Sequence, residues 1–347
     1  MACCAACWIG IGISTGGSIL VAQHLGGDER RLATQAASQT VTLSAVGALA
    51  LGALGYLFVD DVLAVIGASP RVLALSVSYM RIISLGLVFM FRFLTFMALM
   101  RGAGDTVTPM IVVAGSVGLN LVLDPLLIFG WGPFPEWGIR GAAIATIISR
   151  GLAFGVGLWV MIRSDAGIRV RVADLRPTLD RVLTQLRLAV PASELRLAVP
   201  ASVEGISRTL SLNLLLLIVG LFPTTVVAGY GIGTRVLSLV YLPAVAVARG
   251  IETMTGQNIG ASQPDRAETA AGFAGGFLFV ILSMMAVVTW VWAEAIVGLF
   301  TTDAEVTRSG AVFLRHIAPT FGFIGLVRVY NASFRGAGRT LTAAVIG

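Results

Sequence analysis

Long apolar runs recur along this chain, and runs of that length leave few folds open. Nine stretches, at about residues 1–23, 33–58, 77–100, 107–129, 142–162, 195–221, 226–248, 273–299 and 311–334, approach or exceed the roughly 20 residues that a helix needs to cross a bilayer. A tenth begins near Thr340. Hydrocarbon offers no water to backbone N–H and C=O groups, so a spanning segment is a helix or a strand of a closed barrel. These runs are too long for barrel strands. Charged residues are only 12% of the chain, about half the share of a soluble protein. The 41 glycines let membrane helices pack closely. The expected fold is an all-α polytopic membrane protein.

The runs are organised as a repeat. Arg101-Gly102-Ala103-Gly104 recurs 234 positions later as Arg335-Gly336-Ala337-Gly338. At the same offset Gln23 and Gly26 recur as Gln257 and Gly260, and Arg81 as Arg315. The register predicts two related bundles of six helices in parallel pseudo-symmetry, of which this chain holds about nine complete helices. The opening helix of the first bundle and the last two of the second are expected outside it. The expected division is an N-terminal lobe at 1–163, a polar linker at 164–194 that contains Pro177, and a C-terminal lobe at 195–347. Residues 186–194 are repeated almost entirely by 195–203, a local duplication. Nine residues turn a helix by about 900°, which leaves the two copies on opposite faces. The second copy is expected to lead into the membrane helix and the first to extend the linker.

The formal net charge is +6 and all the basic side chains are arginines, because the chain has no lysine. Their distribution argues against nucleic acid as a partner. Arg30, Arg31, Arg101, Arg163, Arg169, Arg171, Arg176, Arg181, Arg266, Arg335 and Arg339 fall in alternate loops. The intervening loops carry Asp60, Asp61, Glu136, Asp303 and Glu305 beside Arg71, Arg140 and Arg308. By the positive-inside rule the arginine-rich loops and the linker are expected on the cytoplasmic side of the cell membrane.

An ionisable side chain inside an apolar helix is costly and therefore a functional candidate. Asp124 is the clearest. Asn120 lies four residues before it on the same helix face, and Pro125 removes a backbone donor beside it, a natural hinge. A carboxyl group there can exchange a proton, and freed carbonyls can coordinate a cation. Thr146 is read either as facing Asp124 or as a helix threonine bonded to its own backbone. Glu204 is read either as lining a cavity of the second half or as pairing with Arg208 at i+4. Arg92 and Arg328 lie deep in their runs, where they can pair with carboxylates; neither is assigned to substrate. Cys3, Cys4 and Cys7 have no His or carboxylate nearby and read as packing residues, so no metal centre is expected beyond a sodium ion at Asn120 and Asp124. No phosphate-binding loop and no nucleophile–base motif is present, so the chain is not read as an enzyme, no cofactor is expected, and H+ or Na+ is the expected energy source.

At these motifs the chain resembles the multidrug and toxic compound extrusion (MATE) family. The resemblance rests on the Gln-x-x-Gly ends at Gln23 and Gln257, the two Arg-Gly-Ala-Gly turns, Asn120 to Pro125 with Leu127-Ile128-Phe129-Gly130, Gly141 to Thr146, Tyr230 to Arg235, and Gly256 to Ala261. It implies two six-helix lobes around a cleft that opens alternately to either side. It implies a monomeric antiporter that exports organic, often cationic, compounds against protons or sodium, with the small organic substrate and membrane lipid as its partners. In one branch the first lobe holds the cation site, which Asn120, Asp124 and Thr146 match; a further aspartate usually completes it from a helix absent here. Another branch has an aspartate before the second Arg-Gly, where this chain reads Phe321 to Leu326 and has none. Two alternatives stay open: a flippase of lipid-linked precursors from the same superfamily, and an inactive truncated membrane fragment.

Overall fold

A computed structural model describes residues 2–64, 70–163 and 190–346. The linker residues 164–189, with Arg169, Arg171, Arg176, Arg181 and Pro177, lie outside the described residues, as do the side chains of Cys3, Cys4 and Arg71. Among the described residues every regular element is a helix. In chain order the helices are α1 (Ala2–Gly26), α2 (Arg30–Ala64), α3 (Pro70–Gly102), α4 (Val107–Ile128), α5 (Ile139–Arg163), α6 (Val190–Val219), α7 (Thr224–Gly260), α8 (Pro264–Val291), α9 (Ala293–Gly298), α10 (Ala304–Ile317), α11 (Phe321–Gly336) and α12 (Thr340–Ile346). Among the described residues eight helical segments are long and apolar enough to span a bilayer. Large apolar side chains on them face outward, with Leu121 73% and Phe273 78% exposed. A soluble protein does not expose apolar surface on this scale; lipid covers it.

Most helices run past their apolar stretches. α3 starts at Pro70 rather than near residue 77, and α7 continues to Gly260. The backbone stays helical through the polar flank until a turn stops it. The last expected span is interrupted instead: α10 ends at Ile317, a 3-10 turn covers Ala318–Thr320, and α11 resumes at Phe321. Pro319 lies in that turn and supplies no N–H to the helical ladder. Helix α6 begins at Val190, inside the first copy of the duplicated segment, with Pro191 in its first turn, where a missing N–H costs little.

The chain divides into two compact units, Met1–Val203 and Glu204–Gly347, so the division falls inside α6. In the first unit α1, α2 and α3 pack on one another, α5 packs on α3, and α4 packs on α5. Its core is built around Phe93, Phe96, Leu99 and Met100 of α3, against Val21 of α1 and Ala37 and Val41 of α2. In the second unit α11 packs on α7 and α8, with a core of Leu278, Leu282, Phe321 and Val329.

The 234-residue register is visible in the backbone. Gly26 and Gly260 end α1 and α7, and Gly102 and Gly336 end α3 and α11. Each of these four ends turns through a residue in the left-handed region: Asp28 and Ser262, both at φ 57°, and Gly104 and Gly338 at φ 89° and 80°. The amide of Asp105 donates to Met100 O and that of Gly104 to Arg101 O, and Arg339 and Gly338 repeat the pattern onto Phe334 O and Arg335 O. This is the double hydrogen-bonded cap that satisfies the last carbonyls of a helix. At the opposite ends Arg81 pairs with Asp60, and at the same offset Arg315 pairs with Glu294. Gly102 lies against the carbonyl of Ser18, and Gly336 against that of Glu252, again one offset apart.

A side chain at either glycine would overlap the facing backbone. Gly336→Val should destabilise the protein by about 1–3 kcal/mol, the usual cost of overpacking. Gly272→Ala, inside α8 with open space around it, should not lower stability and should raise it by up to about 1 kcal/mol. Thermal unfolding of the detergent-solubilised chain decides this; equal melting temperatures for both variants would contradict the packing argument.

Candidate functional site

The first unit holds Asn120 and Asp124 on α4. Asn120 Nδ2 donates to Asp124 Oδ1 at 3.2 Å, as the i, i+4 spacing expects, and both side chains are half-buried. Helix α4 runs through Pro125 and closes one turn later, where the amide of Phe129 donates to Pro125 O. The weakened position is thus in the last turn of the helix. Without an N–H at Pro125, the carbonyl of Leu121 loses its usual helical donor. Asp124, Asn120 and Leu121 therefore place oxygens along one short stretch of α4. The hydroxyl of Thr146 on α5 donates to Ala142 O at 2.9 Å, within its own helix.

The second unit holds a denser cluster. Arg335, the arginine of the repeated turn, donates from Nη1 to both oxygens of Glu204, at 3.1 and 3.0 Å. Its Nε lies 3.5 Å from Glu252 Oε2, and Arg249 reaches the same oxygen at 3.3 Å. The side chains of Arg335 and Glu204 are each 12% exposed and that of Glu252 6%. Three helices, α6, α7 and α11, are tied together by two carboxylates and two guanidiniums of zero net charge. Beside them the hydroxyls of Thr255 and Ser333 lie 3.3 Å apart. Glu204 thus pairs with Arg335 and not with Arg208, because α11 brings a cation closer to it than the next turn of its own helix does. Glu252 was not singled out from the sequence. Its signal was present: a lone carboxylate in a long small-residue helix, at the position where the first half has Ser18.

Other arginines within the helices lie over aromatic rings, among them Arg92 and Arg328, which the sequence reads as able to pair with carboxylates. Arg92 lies 5.6 Å from the ring centroid of Phe154, and Arg150 lies 5.0 Å from that of Phe93. Arg208 and Arg328 lie 4.7 and 5.3 Å from the ring of Tyr241. Glu194, expected in the polar linker, is a buried side chain of α6, 2% exposed, and its Oε1 has no hydrogen-bond partner among the described residues. No group of His, Cys, Asp and Glu suited to a bound metal occurs among the described residues.

Removing one partner from a buried ion cluster leaves the others unpaired. Arg335→Met should lower stability by about 3–5 kcal/mol. Arg335→Lys, a point charge without separate Nη1 and Nε groups to face Glu204 and Glu252, should recover only part of the loss. Unfolding temperatures followed by tryptophan fluorescence report both, and a wild-type value for Arg335→Met would show that the cluster contributes nothing.

A family profile described as MatE matches residues 5–126 and 200–347. The chain is similar to the Probable multidrug resistance protein YoeA of Bacillus subtilis, 29% identical over 343 residues, covering 97% of this chain and 71% of that one. It is also similar to the FAD transporter of Shewanella oneidensis, 27% identical over 338 residues, covering 97% and 73%. Among solved structures, a mutant of the Vibrio cholerae MATE transporter VcmN superposes with a TM-score of 0.86 at 21% identity, over 99% of this chain and 75% of that one.

Proposed function

The chain belongs to the MatE family of multi-pass membrane transporters, and on that premise we propose that it exports small organic molecules as an antiporter driven by a proton or sodium gradient. The observation that carries this reading is the Asn120–Asp124 pair beside Pro125. Asp124 is a carboxylate in an apolar helix, Asn120 orients it, and its own amide oxygen remains available. The carbonyl of Leu121, short of its helical donor, adds a third oxygen. Oxygen ligands of this kind suit a hard cation, and the carboxylate alone suits a proton. Occupation of the site neutralises Asp124 and alters the last turn of α4, where Pro125 leaves the ladder weakest. That is a small local change of the kind that biases a bundle between two packings.

Thr146, whose hydroxyl donates to Ala142 O within α5, joins the site when that hydroxyl turns away from Ala142. Glu204 acts through Arg335: it holds α6 to α11 in the second unit. In this reading the arginine-bearing turns after α1, α3, α7 and α11 face the cytoplasm, and the protein works as a monomer without nucleic acid. The substrates named for relatives, multidrug compounds in one case and FAD in another, support an organic solute and leave its class open.

Asp124→Asn should abolish gradient-driven efflux of organic dyes from vesicles, and Asn120→Ala should slow it about tenfold, the loss expected when an orienting ligand is removed. Imposing a proton gradient and a sodium gradient separately identifies the ion. Undiminished efflux by Asp124→Asn under both gradients would sink the assignment.

A further inference from the structure

Helices α6, α7 and α11 carry charges in two layers, and the layers are treated differently. In the layer nearer the Arg335 turn every guanidinium has a carboxylate. Arg335 holds Glu204 and Glu252, and Arg249 holds Glu252. The other layer lies one to three turns further into the same helices. Arg208 follows Glu204 by four residues on α6, Tyr241 precedes Glu252 by eleven on α7, and Arg328 precedes Arg335 by seven on α11. Arg208 and Tyr241 are near the midpoints of spans Glu194–Val219 and Thr224–Gly260. Both guanidinium carbons face one ring, at 4.7 and 5.3 Å from the Tyr241 centroid, so they are no more than 10.0 Å apart, the sum of the two. No carboxylate of the described residues lies within ion-pair distance of either. Glu204, one turn away, has both oxygens on Arg335.

Arginine does not shed its proton in proteins, so two positive charges are fixed at mid-membrane depth. A tyrosine face offsets part of each charge, but a ring quadrupole is a weak substitute for an anion. Uncompensated charges at this depth are costly and are kept where they serve a ligand. Guanidiniums are planar forks that match the oxygens of a carboxylate or phosphate, and the Tyr241 phenol offers a further donor and a flat apolar face. We propose that Arg208, Arg328 and Tyr241 form a binding site for the acidic group, carboxylate or phosphate, of an aromatic organic anion. This inference rests on the reading of the protein as a transporter of organic molecules, and it names a substrate class the sequence did not suggest.

The test is binding. The full chain, in neutral detergent free of anionic lipid, is titrated into fluorescein and, separately, into the cation ethidium, and the anisotropy of each dye is followed. Fluorescein should bind, with Kd raised about tenfold in Arg208→Gln and in Arg328→Gln and binding lost in the double variant. Ethidium binding should not change. Replacing both arginines by lysine keeps the charge and should retain weakened fluorescein binding, which guards against a double glutamine variant that fails to fold. Undiminished fluorescein binding by the folded double variant overturns the proposal. So does a parallel loss of both dyes, or no fluorescein binding to the wild-type chain. Repeating the titration in nanodiscs separates the two sources of the anion. Competition by phosphatidylglycerol but not phosphatidylcholine assigns the site to a lipid phosphate, and equal affinity in both assigns it to a soluble anion; either result supports an anion site. Efflux by Asp124→Asn is a different measurement on a different unit, so this proposal and the export reading fail separately.

Discussion

A guanidinium inside an apolar helix bundle is costly without an anion, and in the second unit Arg335 has two carboxylates at once. Glu204 comes from α6 and Glu252 from α7, so the arginine at the end of α11 fixes three helices with one side chain. Buried ion pairs are seldom worth more than the apolar groups that might replace them. Their value here is positional. A van der Waals seam between Ala, Gly and Leu faces tolerates sliding, whereas a forked guanidinium between two carboxylates permits one register only. The close approach of Gly336 to the carbonyl of Glu252 follows from the same placement.

The two units solve the same packing problem with different chemistry. Both have the double hydrogen-bonded cap after Arg-Gly, the glycine seated on a facing carbonyl, and the ion pair at the other helix ends. Those features depend on the backbone and on short side chains, and so they survive divergence. The interior does not repeat. Where the second unit has Glu252, the first has Ser18, and its core is lined by hydroxyls such as Thr40, Ser44 and Thr95 bonded to helix carbonyls or to one another.

Much of this was legible before any coordinates, because the signals were local or periodic. Apolar length alone located the spans, the 234-residue offset located matching turns, and the Asn120–Asp124 spacing gave their shared helix face. Other features were not legible, for physical reasons. The start of α3 at Pro70 and the extension of α7 to Gly260 depend on where the backbone finds a cap, which hydropathy does not record. The break at Pro319 was hidden inside a run whose hydropathy is continuous. The partner of Glu204 lies 131 residues away, so the sequence offered only a cavity-lining role or the i+4 neighbour Arg208. The convergence of Arg208 and Arg328 on Tyr241 needs three helices in one place, and no linear pattern contains it.

The charged groups that remain fall into two kinds with different uses. Asp124 shares a face of α4 with Asn120, and in the proposed reading it is the group that meets the coupling ion. Arg208 and Arg328 cannot change charge, so they suit a steady recognition task in which the ligand supplies the missing anion. The paired layer one to three turns away makes that task selective: with Glu204 and Glu252 already held by Arg335 and Arg249, neither carboxylate is free to cancel the positive layer. If Glu204 had paired with Arg208, as the helix spacing alone suggested, the second unit would carry one fewer positive charge at its centre. Arg335 would then be short of a partner at the turn. The bidentate contact between Arg335 and Glu204 therefore closes one end of the bundle and, by occupying that carboxylate, leaves the middle of it cationic.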